Sequence, residues 1–330
     1  MSLATVLIVV VWTGVTLYAV LGGADFGAGI LHLLARGTTA ATERRAIATA
    51  MGPVWEANHV WLIFVVTASF SAFPRAFGAL GTIAFLPATL AVAAIVVRGC
   101  AFAFAGQIEG RPDVSATAQQ MFSGASVAAP FLFGTVAGGL ALQRAHVGEL
   151  GFWIGPFQLV VGLLAVAVCA ALAATFLAVE MTRADEAELA ASFGRRGLWA
   201  TTATGVLALV ALAVASGAAP RLFHDLAGRA LPWVLAAIVA VTVAMGALWR
   251  RRYRPARAAM GLSAAAIVWG WGTAQYPRLV GPHLTIDNAA ATGPELTAIA
   301  IALGAGLLIL APSLWLLYVA FRRHPAEVTK

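Results

Sequence analysis

The chain has 330 residues, of which 61% are hydrophobic and 11% charged. Soluble domains carry about 25% charged residues, so the composition excludes a soluble protein and places the chain in a membrane. The formal charge of +7 does not mark a nucleic-acid partner, because the basic residues sit at the ends of apolar runs rather than on one folded polar face.

A spanning helix needs about 20 mostly apolar residues. Nine stretches meet that requirement: 3–34, 47–72, 77–104, 119–142, 152–180, 198–217, 231–249, 257–274 and 296–321. The expected fold is therefore an all-α integral membrane protein of about nine transmembrane helices, a single membrane domain over 1–330. The N-terminal residues 1–5 carry no basic region and lead into an apolar run longer than a signal peptide's, so this segment is expected to stay as the first span. The breaks are short and marked by Gly, Pro and Arg. The longest break rich in both acidic and basic residues, Glu180 to Gly197, reads as an ordinary cytoplasmic loop. Cys100 and Cys169 have no CxxC or metal-type spacing and read as small buried hydrophobes. Helices 1–4 (about 1–145) and 5–8 (about 150–275) suit a four-plus-four grouping, with helix 9 at about 296–321.

Orientation follows from the arginines. The odd-numbered breaks and the C-terminal tail hold 16 of the 21 basic residues, including Arg44, Arg45, Arg195, Arg196 and Arg250–Arg252; the even-numbered breaks hold 5. Basic residues stay on the cytoplasmic side, which puts the N-terminus outside and the C-terminus in the cytoplasm.

Two carboxylates interrupt the apolar spans, and an ionisable group in a span is a functional hypothesis. Asp25 lies in Gly22-Gly23-Ala24-Asp25-Phe26-Gly27-Ala28-Gly29; Glu56 lies in Pro53-Val54-Trp55-Glu56-Ala57-Asn58-His59-Val60-Trp61. Each is eleven residues from a cytoplasmic arginine, roughly 16 Å at the helical rise, so both are expected near mid-membrane on neighbouring antiparallel helices. A carboxyl that passes between neutral and charged forms suits a proton path. For Asp25 the alternative is a buried ion pair, with Arg98 as the candidate partner and the glycines allowing close helix approach. Glu56 reads as the proton group, because Trp55, Asn58 and His59 crowd the same stretch. His32 and His59 are the histidines within spans, and their depths differ by roughly 15 Å, too far to ligate one iron together. No haem or metal is expected to be ligated by this chain. Trp12, Trp153, Trp233, Trp249 and Trp315 read as interfacial anchors or lipid-facing residues; Trp55 and Trp61 lie deeper, suited to stacking on a cofactor or to packing.

The Gly23–Gly29 segment, Glu43-Arg44-Arg45 and Pro53-Val54-Trp55-Glu56-Ala57-Asn58-His59-Val60-Trp61-Leu62 together resemble subunit II of the cytochrome bd-type quinol oxidases. Weaker echoes are Arg98 with Ala101-Phe102, Ala174–Ala178, and Tyr276-Pro277 followed by Leu284-Thr285. The resemblance covers most of the chain. It implies two four-helix bundles and one peripheral helix, paired with a larger subunit I that holds haem b and haem d. It implies a bacterial cytoplasmic (inner) membrane location and a role in lining a proton path for oxygen reduction. In some members it also implies a structural quinone. Carried over by position, Asp25 and Glu56 match family acids, with Glu56 on the proton path. Trp55, Asn58, Trp61 and Arg98 fall near the subunit interface or a quinone or haem. The partners implied are subunit I, quinol and oxygen through it, membrane lipids and, as a further candidate, a small accessory subunit. Gly22, Val54 and His59 depart from the family pattern, where some members have an acid, a histidine and a neutral residue. The rival reading is a proton-coupled transporter using Asp25 and Glu56, and a third is a scaffold in which both acids form ion pairs.

Overall fold

The computed structural model describes residues 2–105, 112–143 and 150–323; within its helices the side chains of 52–57, of a few residues in 105–115, and of parts of 307–323 lie outside the described set. Helix α1 (Leu3–Leu17) starts at Ser2, whose hydroxyl accepts the Thr5 N–H at 3.2 Å. A wider π turn (Tyr18–Gly22) joins it without a break to α2 (Gly23–Leu34). Next come α3 (Ala40–Ala72), α4 (Pro74–Ile83), α5 (Phe85–Ala105), α6 (Pro112–Ala141), α7 (Pro156–Arg183) and α8 (Ala187–Ala218). They are followed by α9 (Pro220–Ala227), α10 (Leu231–Trp249), α11 (Tyr253–Gln275), α12 (Ile286–Ala289) and α13 (Gly293–Arg323). Pro74, Pro156 and Pro220 each open a helix, where the missing N–H has no intrahelical acceptor to lose. A two-residue-wide antiparallel hairpin, β1 (Arg278–Val280) with β2 (Leu284–Thr285), lies between α11 and α12.

Helix occupies most of each of the nine predicted stretches, although 77–104 is divided between α4 and α5 and 152–180 becomes α-helical only from Pro156. Among the described residues six helices are by themselves long and apolar enough to cross a membrane. A seventh joins them if Asn58–Ala72 and Pro74–Ile83, bent by 115°, count as one span. The expectation of a loop from Glu180 to Gly197 needs correction: α7 runs to Arg183 and α8 begins at Ala187. The charged residues that suggested a loop are instead used to tie helix ends together. Glu180 pairs with Arg183 and Arg257, and Arg196 with Glu43.

Helix α7 is the hub, packed against α2, α6, α8 and α11. Ala170, Ala171, Ala173, Ala174 and Ala178 are buried along it, and such small residues let helix backbones approach closely in lipid, where the hydrophobic effect between helices is absent. Cys169 is buried on the same helix, whereas Cys100 is exposed, contrary to its expected burial.

Candidate functional site

The glycines of α2 set the site. A Cβ at Gly27 would lie 1.8 Å from the Cys169 carbonyl of α7, and one at Gly29 would lie 2.1 Å from Ser126 Oγ of α6. Only hydrogen fits at either position, so α2 is wedged between α6 and α7. That wedge brings Asp25 to Arg98 of α5.

Arg98 Nη2 donates to Asp25 Oδ1 at 2.7 Å, with 1% and 3% of the two side chains exposed. It also donates to the Asp25 carbonyl at 3.1 Å, and Arg98 Nε donates to Ser126 Oγ at 2.9 Å. The Ser126 hydroxyl in turn donates a hydrogen bond to the Phe122 carbonyl at 2.7 Å. The guanidinium lies 5.2 Å from the Phe26 ring centroid and 5.0 Å from that of Phe122. A planar, weakly hydrated guanidinium suits such an enclosure, since hydrogen bonds and ring faces replace the water it loses.

The polar groups continue along α2. His32 Nδ1 and Ser123 Oγ are 2.9 Å apart, and the imidazole sits edge-on to Phe122. Seven residues separate Asp25 from His32, about 10 Å of helix. At the end of α2, Arg44 donates to the carbonyls of His32 and Ala35, and Arg196 to that of Leu31. These arginines supply donors to carbonyls at the end of α2, where the helix's own N–H groups run out; the His32 carbonyl also accepts the Ala35 N–H. Arg196 is ion-paired with buried Glu43, which also accepts from Ser192 at 2.9 Å. Polar groups thus run from Glu43 and Arg196 through His32 and Ser123 to Ser126, Arg98 and Asp25.

From α3, buried Asn58 donates Nδ2 to the Leu21 carbonyl at 3.2 Å. Leu21 belongs to the π turn, a local widening that often marks functional positions. His59 lies within electrostatic range of Asp25. Trp61 packs edge-on to Phe64 with ring centroids 6.2 Å apart. The side chains of Trp55 and Glu56 lie outside the described residues, so their placement relative to Asp25 is not part of this geometry; their backbone continues α3. Among the described residues no group of three or more His, Cys, Asp or Glu is placed to hold a metal ion.

Sequence reasoning passed over Ser123 and Ser126, whose spacing of three on α6 was the available signal for two hydroxyls facing one neighbour. It also misread Trp12 as an anchor or lipid-facing residue. Trp12 stacks on Trp271 of α11 at 5.5 Å and donates to the Val268 carbonyl, because α1 packs directly on α11.

A separate cavity of about 360 Å³ lies between α7, α8, α10 and α11, lined by Phe157, Leu164, Val241, Ser263 and Trp271 among others. Ser263 Oγ and Trp271 Nε1, both buried atoms, find no hydrogen-bond partner among the described residues.

A family model for "Cytochrome bd terminal oxidase subunit II" matches residues 3–321. Subunit 2 of the cytochrome bd ubiquinol oxidase of Bacillus subtilis (strain 168) is 29% identical over 174 residues, 50% of this chain and 48% of that one. Subunit 2 of the cytochrome bd-I ubiquinol oxidase of Escherichia coli (strain K12) is 28% identical over 171 residues, 48% of this chain and 44% of that one. The matches thus span about half the length of these curated relatives. A chain of the solved bd oxidase of Geobacillus thermodenitrificans is similar in fold, with a TM-score of 0.78 and 25% identity over 98% of this chain and 100% of that one.

Proposed function

Because the chain belongs to the cytochrome bd terminal oxidase subunit II family, we propose that it is the second subunit of a membrane quinol:oxygen oxidoreductase, catalytically incomplete alone. The observation that carries this reading is the likeness in fold to a bd oxidase chain over 98% of the length. The partner is a subunit I that holds haem b and haem d, through which quinol and oxygen react. The depths expected for His32 and His59, roughly 15 Å apart at the helical rise, support that division, because two such histidines do not meet at one iron. We also propose the nine-span count, with α1–α6 and α7–α11 as two four-helix bundles and α13 peripheral. The location is the bacterial inner membrane, with the N-terminus outside and the C-terminus in the cytoplasm.

Asp25 and Arg98 act as the structural core of the first bundle, and Glu56 carries the proton. Oxygen reduction consumes protons, and a buried reducing centre receives them through titratable groups or water. Glu56 sits in α3 two residues before Asn58, which is anchored to the π turn beside Asp25. A structural quinone fits the cavity between α7 and α11. Its carbonyl oxygens need donors; Ser263 and Trp271 line the cavity, and their Oγ and Nε1 have no hydrogen-bond partner among the described residues, while Thr204 and Thr242 add hydroxyls to the wall.

The test is to purify the chain with whatever co-purifies, record the absorption spectrum, and measure quinol-driven oxygen consumption. A larger haem-bearing partner and an active complex are expected. Purification as a stable haem-free protein with no partner would overturn the reading.

A further inference from the structure

The arginines on the face holding the α7–α8 and α10–α11 turns divide into two groups. Arg183, Arg196 and Arg257 have carboxylate partners, and Arg257 also lies over Phe176. Arg195, Arg250, Arg251, Arg252 and Arg254 are exposed and have no ion pair among the described residues. These five lie where the start of α8 meets the α10–α11 turn.

A groove of about 290 Å³ opens between the two elements, lined by Gly194, Arg195, Leu198, Trp249, Arg251 and Tyr253 among others. It is a built feature. Ala191, Gly194, Arg195 and Leu198 follow the spacing of one helix face, and Gly194 leaves room for the Tyr253 ring, which a Cβ there would meet at 2.6 Å. The opposite wall is a tight helix-ending turn in which Arg251 N–H bonds to the Leu248 carbonyl and Arg252 N–H to that of Ala247. This pattern calls for a left-handed residue, and Arg251 takes that role at φ 55°. A glycine fits such a turn at least cost; here the position is held by an arginine that lines the groove. The acids of this face, Asp185, Glu186 and Glu188, do not line it.

Two indoles flank the arginines. Trp249 is 82% exposed and Trp199, one turn beyond Arg195, is 76% exposed. Indoles prefer the level of lipid headgroups, and the bands of α8 and α10 that lead away from them expose Val206, Leu209, Leu235, Val239 and Val243. The groove therefore sits where a helix surface suited to acyl chains turns into one suited to anions.

We propose that this groove is a binding site for the headgroup of an anionic phospholipid, its phosphate held by Arg195 and Arg251 and its acyl chains lying along α8 and α10. Charge complementarity selects this occupant: Arg195 and Arg251 line the groove with no acid beside them and no ion pair among the described residues, and one phosphate neutralises part of that charge. A neutral lipid gives no such relief. Basic pockets between helices at the cytoplasmic surface take such headgroups by this chemistry. The site rests on the proposed orientation only for naming the leaflet.

The test uses the chain in complex with its partner subunit, stripped of lipid in detergent. Phosphatidylglycerol and phosphatidylcholine are titrated in turn, and bound lipid is counted by native mass spectrometry. Phosphatidylglycerol is expected to bind more tightly. The double substitution Arg195→Gln with Arg251→Gln should weaken it about 30-fold, at about 1 kcal/mol per arginine. Arg195→Lys with Arg251→Lys keeps the charge and should retain most of the affinity, which separates a lost site from a lost fold. Arg221→Gln removes one exposed charge from α9, which follows the far end of α8, and should change nothing. Equal affinity for the two lipids, an unchanged Gln double variant, or full displacement by millimolar inorganic phosphate would each overturn the proposal. Absence of oxidase activity in the unmutated complex together with normal lipid binding would count against the functional reading and leave this site standing.

Discussion

Asp25 and Arg98 meet at 2.7 Å across α2 and α5 with almost none of either side chain exposed. Bringing two charges out of water costs several kcal/mol each, and their attraction offsets that only with good geometry and further hydrogen bonds. The Ser126 hydroxyl, the Asp25 carbonyl and two aromatic faces supply those here. Removing one partner is then far worse than removing both.

Asp25→Asn keeps the shape and leaves Arg98 uncompensated, a loss of about 3–5 kcal/mol. The yield of intact complex should fall, read as haem per protein after purification. Asp25→Leu with Arg98→Met removes both charges and should recover part of the yield. Normal yield of Asp25→Asn with selectively lost turnover would move Asp25 onto the proton route.

Glu56→Gln should assemble normally and turn over slowly, since an amide keeps the hydrogen bonds but exchanges no acid proton. Glu56→Asp should keep substantial activity. Oxygen consumption normalised to haem content measures both. Full turnover in the Gln variant would leave Glu56 with a structural role.

Gly27→Ala should prevent correct packing of α2 on α7, because its methyl group would overlap the Cys169 carbonyl, which is backbone and cannot rotate away. Gly81→Ala in α4 has nothing within 4 Å and should be neutral or slightly stabilising, as alanine is about 1 kcal/mol better than glycine in a helix. Thermal unfolding of the purified complex compares the two. Equal melting temperatures would refute the wedge.

Glu43→Gln weakens the tie between α3 and α8 and leaves Arg196 and Ser192 with a poorer acceptor. A hydrogen bond to a charged group contributes about 1.5–3 kcal/mol, so a loss within that range is expected. Arg183→Gln breaks a pair whose arginine is 55% exposed and should cost far less, since surface pairs are worth about 0–1 kcal/mol. Denaturation midpoints of the two variants decide the order.

The isolated chain should bind no haem in a one-to-one ratio. Its span histidines, His32 and His59, are expected to differ in depth by roughly 15 Å at the helical rise, too far to ligate one iron together. A stoichiometric Soret band from the chain purified without its partner would refute this.

The sequence by itself determined the membrane class and the placement of long helices, because a bilayer demands continuous apolar runs and leaves that demand written in composition. It also singled out Asp25 and Arg98, since a charge within an apolar run stands out without any knowledge of neighbours. What it could not place was anything set by contact between distant segments. The helical stretch around Glu180 and Gly197 looked like a loop because its charges find their partners 77 residues away at Arg257 and 153 away at Glu43. Ser123, Ser126 and Trp12 looked ordinary, and each acquires its role from a neighbour on another helix. The π turn at Tyr18–Gly22 carries no local signature and is registered by Asn58, 37 residues on. Hydropathy is a property of one segment and survives in the sequence. Pairing depends on how closely two segments approach, and here a hydrogen atom at Gly27 in place of a methyl group decides it.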